Sequence, residues 1–78
     1  MLIAVVSDLA VAGRIDEAWE VAENITDYYC RAHAALIIAR ETGESHDFEN
    51  AMILASHIDD EVRKRELEAE IERAKNPA

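Results

Sequence analysis

Apolar residues recur along this chain at i, i+3, i+4 and i+7: Ala18, Val21, Ala22 and Ile25 form one such stripe, and Ala51, Leu54, Ala55 and Ile58 form a second. That spacing puts each set on one side of an α-helix. The pattern breaks at Gly13 and Gly43, both suited to the left-handed residue just past a helix end. It breaks again at Thr26 or Asp27, and at Asp59 or Asp60, where a side-chain oxygen can cap the following first turn. The segments between these breaks predict five helices, near 2–12, 15–26, 28–42, 47–58 and 60–75, with Asn76-Pro77 closing the last. Short loops make successive helices antiparallel neighbours. The opening LIAVV is β-branched enough for a strand, but no Gly-rich phosphate turn follows it, and the helical reading is favoured.

A shift of 33 positions superimposes the second stripe on the first. It pairs Ala18 with Ala51, Ala22 with Ala55, Ile25 with Ile58, Asp27 with Asp60, Ile38 with Ile71 and Arg40 with Arg73. Ile15 and Phe48, Val21 and Leu54, and Arg31 and Lys64 are similar pairs, and Val5 and Val6 fall on Ile38 and Ala39. A period of this size marks stacked supersecondary units. AGRIDEAWEVA and SHDFENAMILA resemble the turn and second-helix start of the tetratricopeptide repeat, with Ala18 and Ala51 in its small-residue slot and Ile15 and Phe48 in the aromatic slot before it. Its Leu slot holds Val5, Ile38 and Ile71. Leu2, Ala35 and Glu68 occupy the Trp slot, Ala22 and Ala55 the Phe slot, and Cys30 and Arg63 the Pro slot, so the likeness is to divergent short-loop repeats of archaeal and other prokaryotic proteins. The second turn also carries three extra residues before Ala51. The resemblance implies an all-α fold, an α-solenoid of antiparallel helix pairs in a right-handed superhelical stack. One domain over 1–78 would hold about two and a half repeats, with units near 2–27 and 28–60 and a capping helix at 61–75. The last helix keeps one narrow apolar stripe, Val62, Leu67, Ile71 and Ala74, as a terminal cap requires.

Length and composition narrow this further. A chain of 78 residues suffices for one domain. Half its residues are apolar but only 5% aromatic, so the core is built from Ala, Ile, Leu and Val, which suits closely packed helices. Two Gly and one Pro are too few for the turns of a small all-β fold. Seventeen Asp and Glu against eight Lys and Arg give a net charge of −9, which repels phosphate backbones and anionic lipid, so neither nucleic acid nor membrane is an expected partner. The one cysteine cannot form an internal disulfide, and MLIAVV lacks a basic leader and reaches Asp8 too soon for a signal peptide. A cytoplasmic location is expected.

Candidate chemistry is sparse. Cys30 and His33 lie three apart on one helix and could share a metal, which gives the alternative reading of a small metal-binding or enzymatic bundle. No second pair has zinc-type spacing, with His46 expected in a loop and His57 on a seam, so no metal and no cofactor are expected. Acidic pairs such as Asp59-Asp60 read as caps and solvated surface, and no nucleophile triad or phosphate loop is present; an enzyme is not expected. Trp19, Tyr28 and Tyr29 read as core or edge packing. The family resemblance implies instead a protein–protein interaction module whose first helices line a groove for a protein or peptide. There Ser7, Arg40 and Arg73 would form one column, Ile3, Leu36 and Ala69 a second, and His33 would stand above Glu66, with Leu36 as apolar floor and Arg40 as anchor for a carboxylate. Leu2, Ile3, Val5, Val6 and Leu9 open the chain with no earlier helix to cover them, and are expected to meet another chain, as a homodimer or as a heteromer through this end.

Overall fold

A computed structural model describes residues 2–76. They form five α-helices, α1 (Leu2–Val11), α2 (Ile15–Glu23), α3 (Tyr28–Thr42), α4 (Ser45–Ala55) and α5 (Glu61–Lys75), with no strand among the described residues. LIAVV is therefore helical. Two of its positions depart from expectation, however. Val6 is fully buried, and so is not part of an exposed self-association face, while Val5 is 44% exposed although Ile38, its counterpart one repeat on, is in the core.

The helix ends follow the residues expected to make them. At the end of α1, Gly13 takes φ 82°, its N–H reaches the Ala10 carbonyl at 3.0 Å, and the Arg14 N–H reaches that of Leu9 at 2.9 Å. This pair of bonds satisfies carbonyls the helix leaves open. Gly43, at φ 69°, closes α3 through a single bond of 2.8 Å to the Ala39 carbonyl. Between the repeats Asp27 and Asp60 are the caps, not Thr26 and Asp59. Asp27 accepts from the Cys30 N–H, and Asp60 from the N–H groups of Val62 and Arg63. Pro77 lies outside the described residues.

The helices α3 and α5 begin and end 33 positions apart. Both α2 and α4 stop earlier than their periodicity predicts, and by the same device. Ile25 N–H bonds to the Ala22 carbonyl and Ile58 N–H to that of Ala55, each at 3.1 Å, so the chain tightens and leaves the helix. Ile25 and Ile58 still point inward and are buried from the loop. The three extra residues of the second turn lengthen no loop. They form the first turn of α4, which begins at Ser45 rather than near 47.

Helix contacts run in series. α1 touches α3 and α3 touches α5; α2 packs against α1 and α3, and α4 against α3 and α5. No Cα atom of α1 or α2 comes within 8 Å of one in α4 or α5. α3 alone touches every other helix, and its sequence shows why. Ala34 and Ile38 face a core shared with Val6, Ala10, Ala18, Ala22 and Ile25, while Ala32, Ala35, Leu36 and Ala39 face a second core with Phe48, Ala51, Ala55, Ile58, Leu67 and Ile71. Trp19 packs against both. The result is a slab of 32 × 31 × 17 Å. α5 is held by Leu67 and Ile71 alone among its fully buried residues, and its outer surface carries the expected i, i+4 pair of Glu61 and Arg65 at 3.3 Å.

Two stability measurements follow. Ala55 is fully buried in the second core, so Ala55→Phe overpacks it and costs about 1–3 kcal/mol, read as a lowered Tm. Asp60→Ala removes a cap from two amides and costs about 1 kcal/mol in urea unfolding.

Candidate functional site

The odd-numbered helices carry the residues expected to bind a partner, and the structure places them unevenly. Ser7 is half-buried, and Arg40, Glu66 and Arg73 are exposed. Arg40 is bound across α3 and α5, its guanidinium 3.4 Å from Glu70. No ion pair joins His33 to Glu66 among the described residues. His33 instead tilts against Tyr29, with ring centroids 6.2 Å apart, and its Nδ1 is buried without a hydrogen-bond partner. Leu36 is the clear correction. It is 0% exposed, packed inside the second core, because α3 is covered on two sides; it cannot floor an open groove. Of the residues expected to self-associate, Ile3 and Leu9 are half-buried, Leu9 packing on the first core, and the Leu2 side chain lies outside the described residues.

Cys30 belongs to the cap of α3. Burial raises its thiol pKa, and the neighbouring Asp27 raises it further through hydrogen bonding and charge. Asp27 is lowered in turn, first by the Cys30 backbone N–H it accepts, then by its side-chain bond to Cys30. A thiol held protonated is a poor metal ligand and a poor nucleophile. Among the described residues no three His, Cys, Asp or Glu side chains group to hold a metal ion. The other histidines are elsewhere. His46 lies in the first turn of α4 rather than a loop, and His57 is exposed after α4, stacked on Tyr28 at 5.0 Å. Tyr29 lies beneath the Arg63 guanidinium at 5.1 Å. These rings, with Asp27, Asp59 and Asp60, line a cleft of about 370 Å³ where the two inter-repeat turns meet.

A larger opening lies between the even-numbered helices. The backbones of α2 and α4 stand apart, and a cleft of about 520 Å³ lies between them. Its deep part is Ala22, Trp19 and Leu54, and α3 contributes Arg31. Glu23 stands at its α2 side, and Ile53, 58% exposed, at its α4 side. At the start of α4 the cleft meets Asp47, a carboxylate only 4% exposed. Thr42 Oγ1 donates to it and His46 Nε2 lies 3.2 Å away, so the buried charge is satisfied locally at a helix N-terminus. Periodicity had not singled out this cleft. The legible signal was Ile53, an apolar residue off the Ala51, Leu54, Ala55 stripe.

No family model, curated protein or solved structure matches the chain. No described helix is long and apolar enough to cross a membrane.

The Asp27–Cys30 cap generates a pH dependence. A carboxyl whose folded pKa is depressed contributes stability above its unfolded pKa of about 3.9 and loses it as pH falls through the lower folded value. Asp27→Asn is therefore less stable than wild type near neutrality, and the difference vanishes in acid, measured by urea unfolding across pH. At alkaline pH Cys30 reacts with iodoacetamide more slowly than a free cysteine does, measured by mass spectrometry.

Proposed function

We propose that this chain is a protein–protein interaction module and not an enzyme, built as a tetratricopeptide-like α-solenoid of about two and a half repeats. The units near 2–27 and 28–60 stack in a right-handed superhelix, and α5 caps them. The serial contacts support this reading, since each helix pair touches only its neighbours. One observation carries the function: the open, apolar-floored cleft between α2 and α4, with exposed Ile53 beside it. Concave apolar surfaces with a few polar groups are where ligands seat. The partner is a protein or peptide, and the protein works in the cytoplasm.

Ser7, His33, Arg40, Glu66 and Arg73 on the odd-numbered helices are the competing contact surface, and photo-cross-linking separates the two. A photoreactive residue in place of Ile53 attaches to a polypeptide in the source cells, whereas one in place of Arg73 does not. The attached polypeptide, once identified and purified, binds wild type and loses about tenfold affinity or more for Ile53→Asp. Attachment from Arg73 alone would move the site to the odd-numbered helices. A second reading, self-association through α1, is favoured by the exposure of Val5 and of Val11, 69% open, on a helix whose one charge is Asp8. It expects a dimer by light scattering that Val5→Asp dissociates.

A further inference from the structure

The distribution of charge around the α2–α4 cleft specifies what enters it. Arg63, Lys64, Arg65, Arg73 and Lys75 all lie on α5. α2 and α4 contain neither Lys nor Arg, while α2 carries Asp16, Glu17, Glu20 and Glu23, and α4 carries Asp47 and Glu49. Arg31 is the single Lys or Arg of the lining and Glu23 its exposed acid, since Asp47 is already met by Thr42 and His46; the excess of acid lies on the surrounding surface of α2 and α4, at the exposed Asp16, Glu20 and Glu49. The cleft is thus an apolar slot between two acidic helices.

Backbone chemistry selects the shape of the occupant. The helices that wall the slot spend their own N–H and C=O groups internally, so an extended peptide would find no backbone ladder and only the scattered side chains of Glu23, Arg31, His46 and Asn50 for its amides. A helix arrives with those bonds already made. It lays an apolar i, i+3, i+4, i+7 stripe into a groove, and a volume of about 520 Å³ accommodates a few such side chains rather than a whole helix.

Resting on the interaction-module reading above, we propose that the cleft between α2 and α4 binds a basic amphipathic helix of a partner protein. Its apolar stripe sits against Trp19, Leu54 and Ile53, and its Lys or Arg side chains meet Glu23 in the lining and Glu20, exposed outside the lining one turn earlier on α2. A second copy of this chain is a poorer occupant, because a molecule of net charge −9 approaches an acidic face of its own kind.

Trp19, the only tryptophan, lies in the cleft and reports occupancy directly. The probe is a synthetic Leu/Lys amphipathic helix of about 18 residues, long enough to be helical when bound, with a Leu/Glu peptide of the same pattern as control. The Leu/Lys peptide shifts Trp19 emission saturably, and the Leu/Glu peptide does not. Raising salt from about 0.05 to about 0.5 M weakens binding by about tenfold, as does Glu20→Lys with Glu23→Lys. Ile53→Asp also abolishes the shift. Because that change adds a carboxylate, plain electrostatic adsorption would instead be strengthened by it. Circular dichroism confirms that each variant, altered only at exposed positions, keeps its helices.

The proposal is overturned if the Leu/Lys peptide gives no saturable shift, if the Leu/Glu peptide binds equally, or if Ile53→Asp binds as wild type does. It is also overturned if Trp19 emission depends on protein concentration without peptide while the sedimenting mass doubles and both effects vanish in Ile53→Asp; a second copy then fills the cleft. A neutral or acidic polypeptide attached at position 53 in cells removes the basic-helix assignment but leaves the interaction module standing. Peptide binding in the purified system with no cellular attachment at either 53 or 73 does the reverse.

Discussion

One helix carries the whole assembly. α3 is the only element in contact with all the others, and the two cores meet nowhere else except at Trp19. A helix can hold neighbours on both sides only if its side chains are short enough for their backbones to come near, and Ala32, Ala34, Ala35 and Ala39 meet that condition. Leu36 and Ile38 then supply most of the apolar area, each on a different side. Full burial of such a side chain contributes about 1.5–3 kcal/mol, a large share of what so small a domain has to spend. The separation between the backbones of the flanking hairpins is the counterpart of this arrangement, and the cleft between α2 and α4 follows from it.

Much of the fold was legible because the same local rules operate twice. Alanine and isoleucine at helical spacing, glycines at the two hairpin turns and aspartates before α3 and α5 each named their own structural role, and in the second copy each named it again. What periodicity misjudged were helix ends. The stripe through Ile25 and Ile58 continues past the last helical residue, since an apolar side chain can reach the core from a tightened turn as readily as from a helix. Ser45 was missed for the opposite reason: the first turn of α4 is polar outside and carries no stripe, and Asp47 within it is buried through a bond to Thr42 rather than through apolarity.

The candidate site was less legible than the fold. A column of residues 33 apart identifies positions on successive helices but not whether they face water, and Leu36 shows the difference. Its helix is apolar on two sides, so repeat register alone could not tell a groove floor from a core. Val6 and Val5 repeat the lesson at α1, where adjacent valines divide between interior and solvent. The α2–α4 cleft arises from backbones that stand apart, and no single segment encodes a separation. Only the surplus apolar residue Ile53 and the acidity of α2 and α4 left a mark in the primary structure.

The separation of α2 from α4 also gives the molecule a lever. Each is tied to α3 by its own set of alanines, Ala18 and Ala22 on one side and Ala51 and Ala55 on the other, so the distance between them is set by the angle at which each packs on that common axle. A small change in packing close to that axle becomes a wider displacement at the rim. The width of the cleft is therefore set by residues that do not line its mouth, and drift at buried alanines would reshape the surface without altering a single exposed side chain.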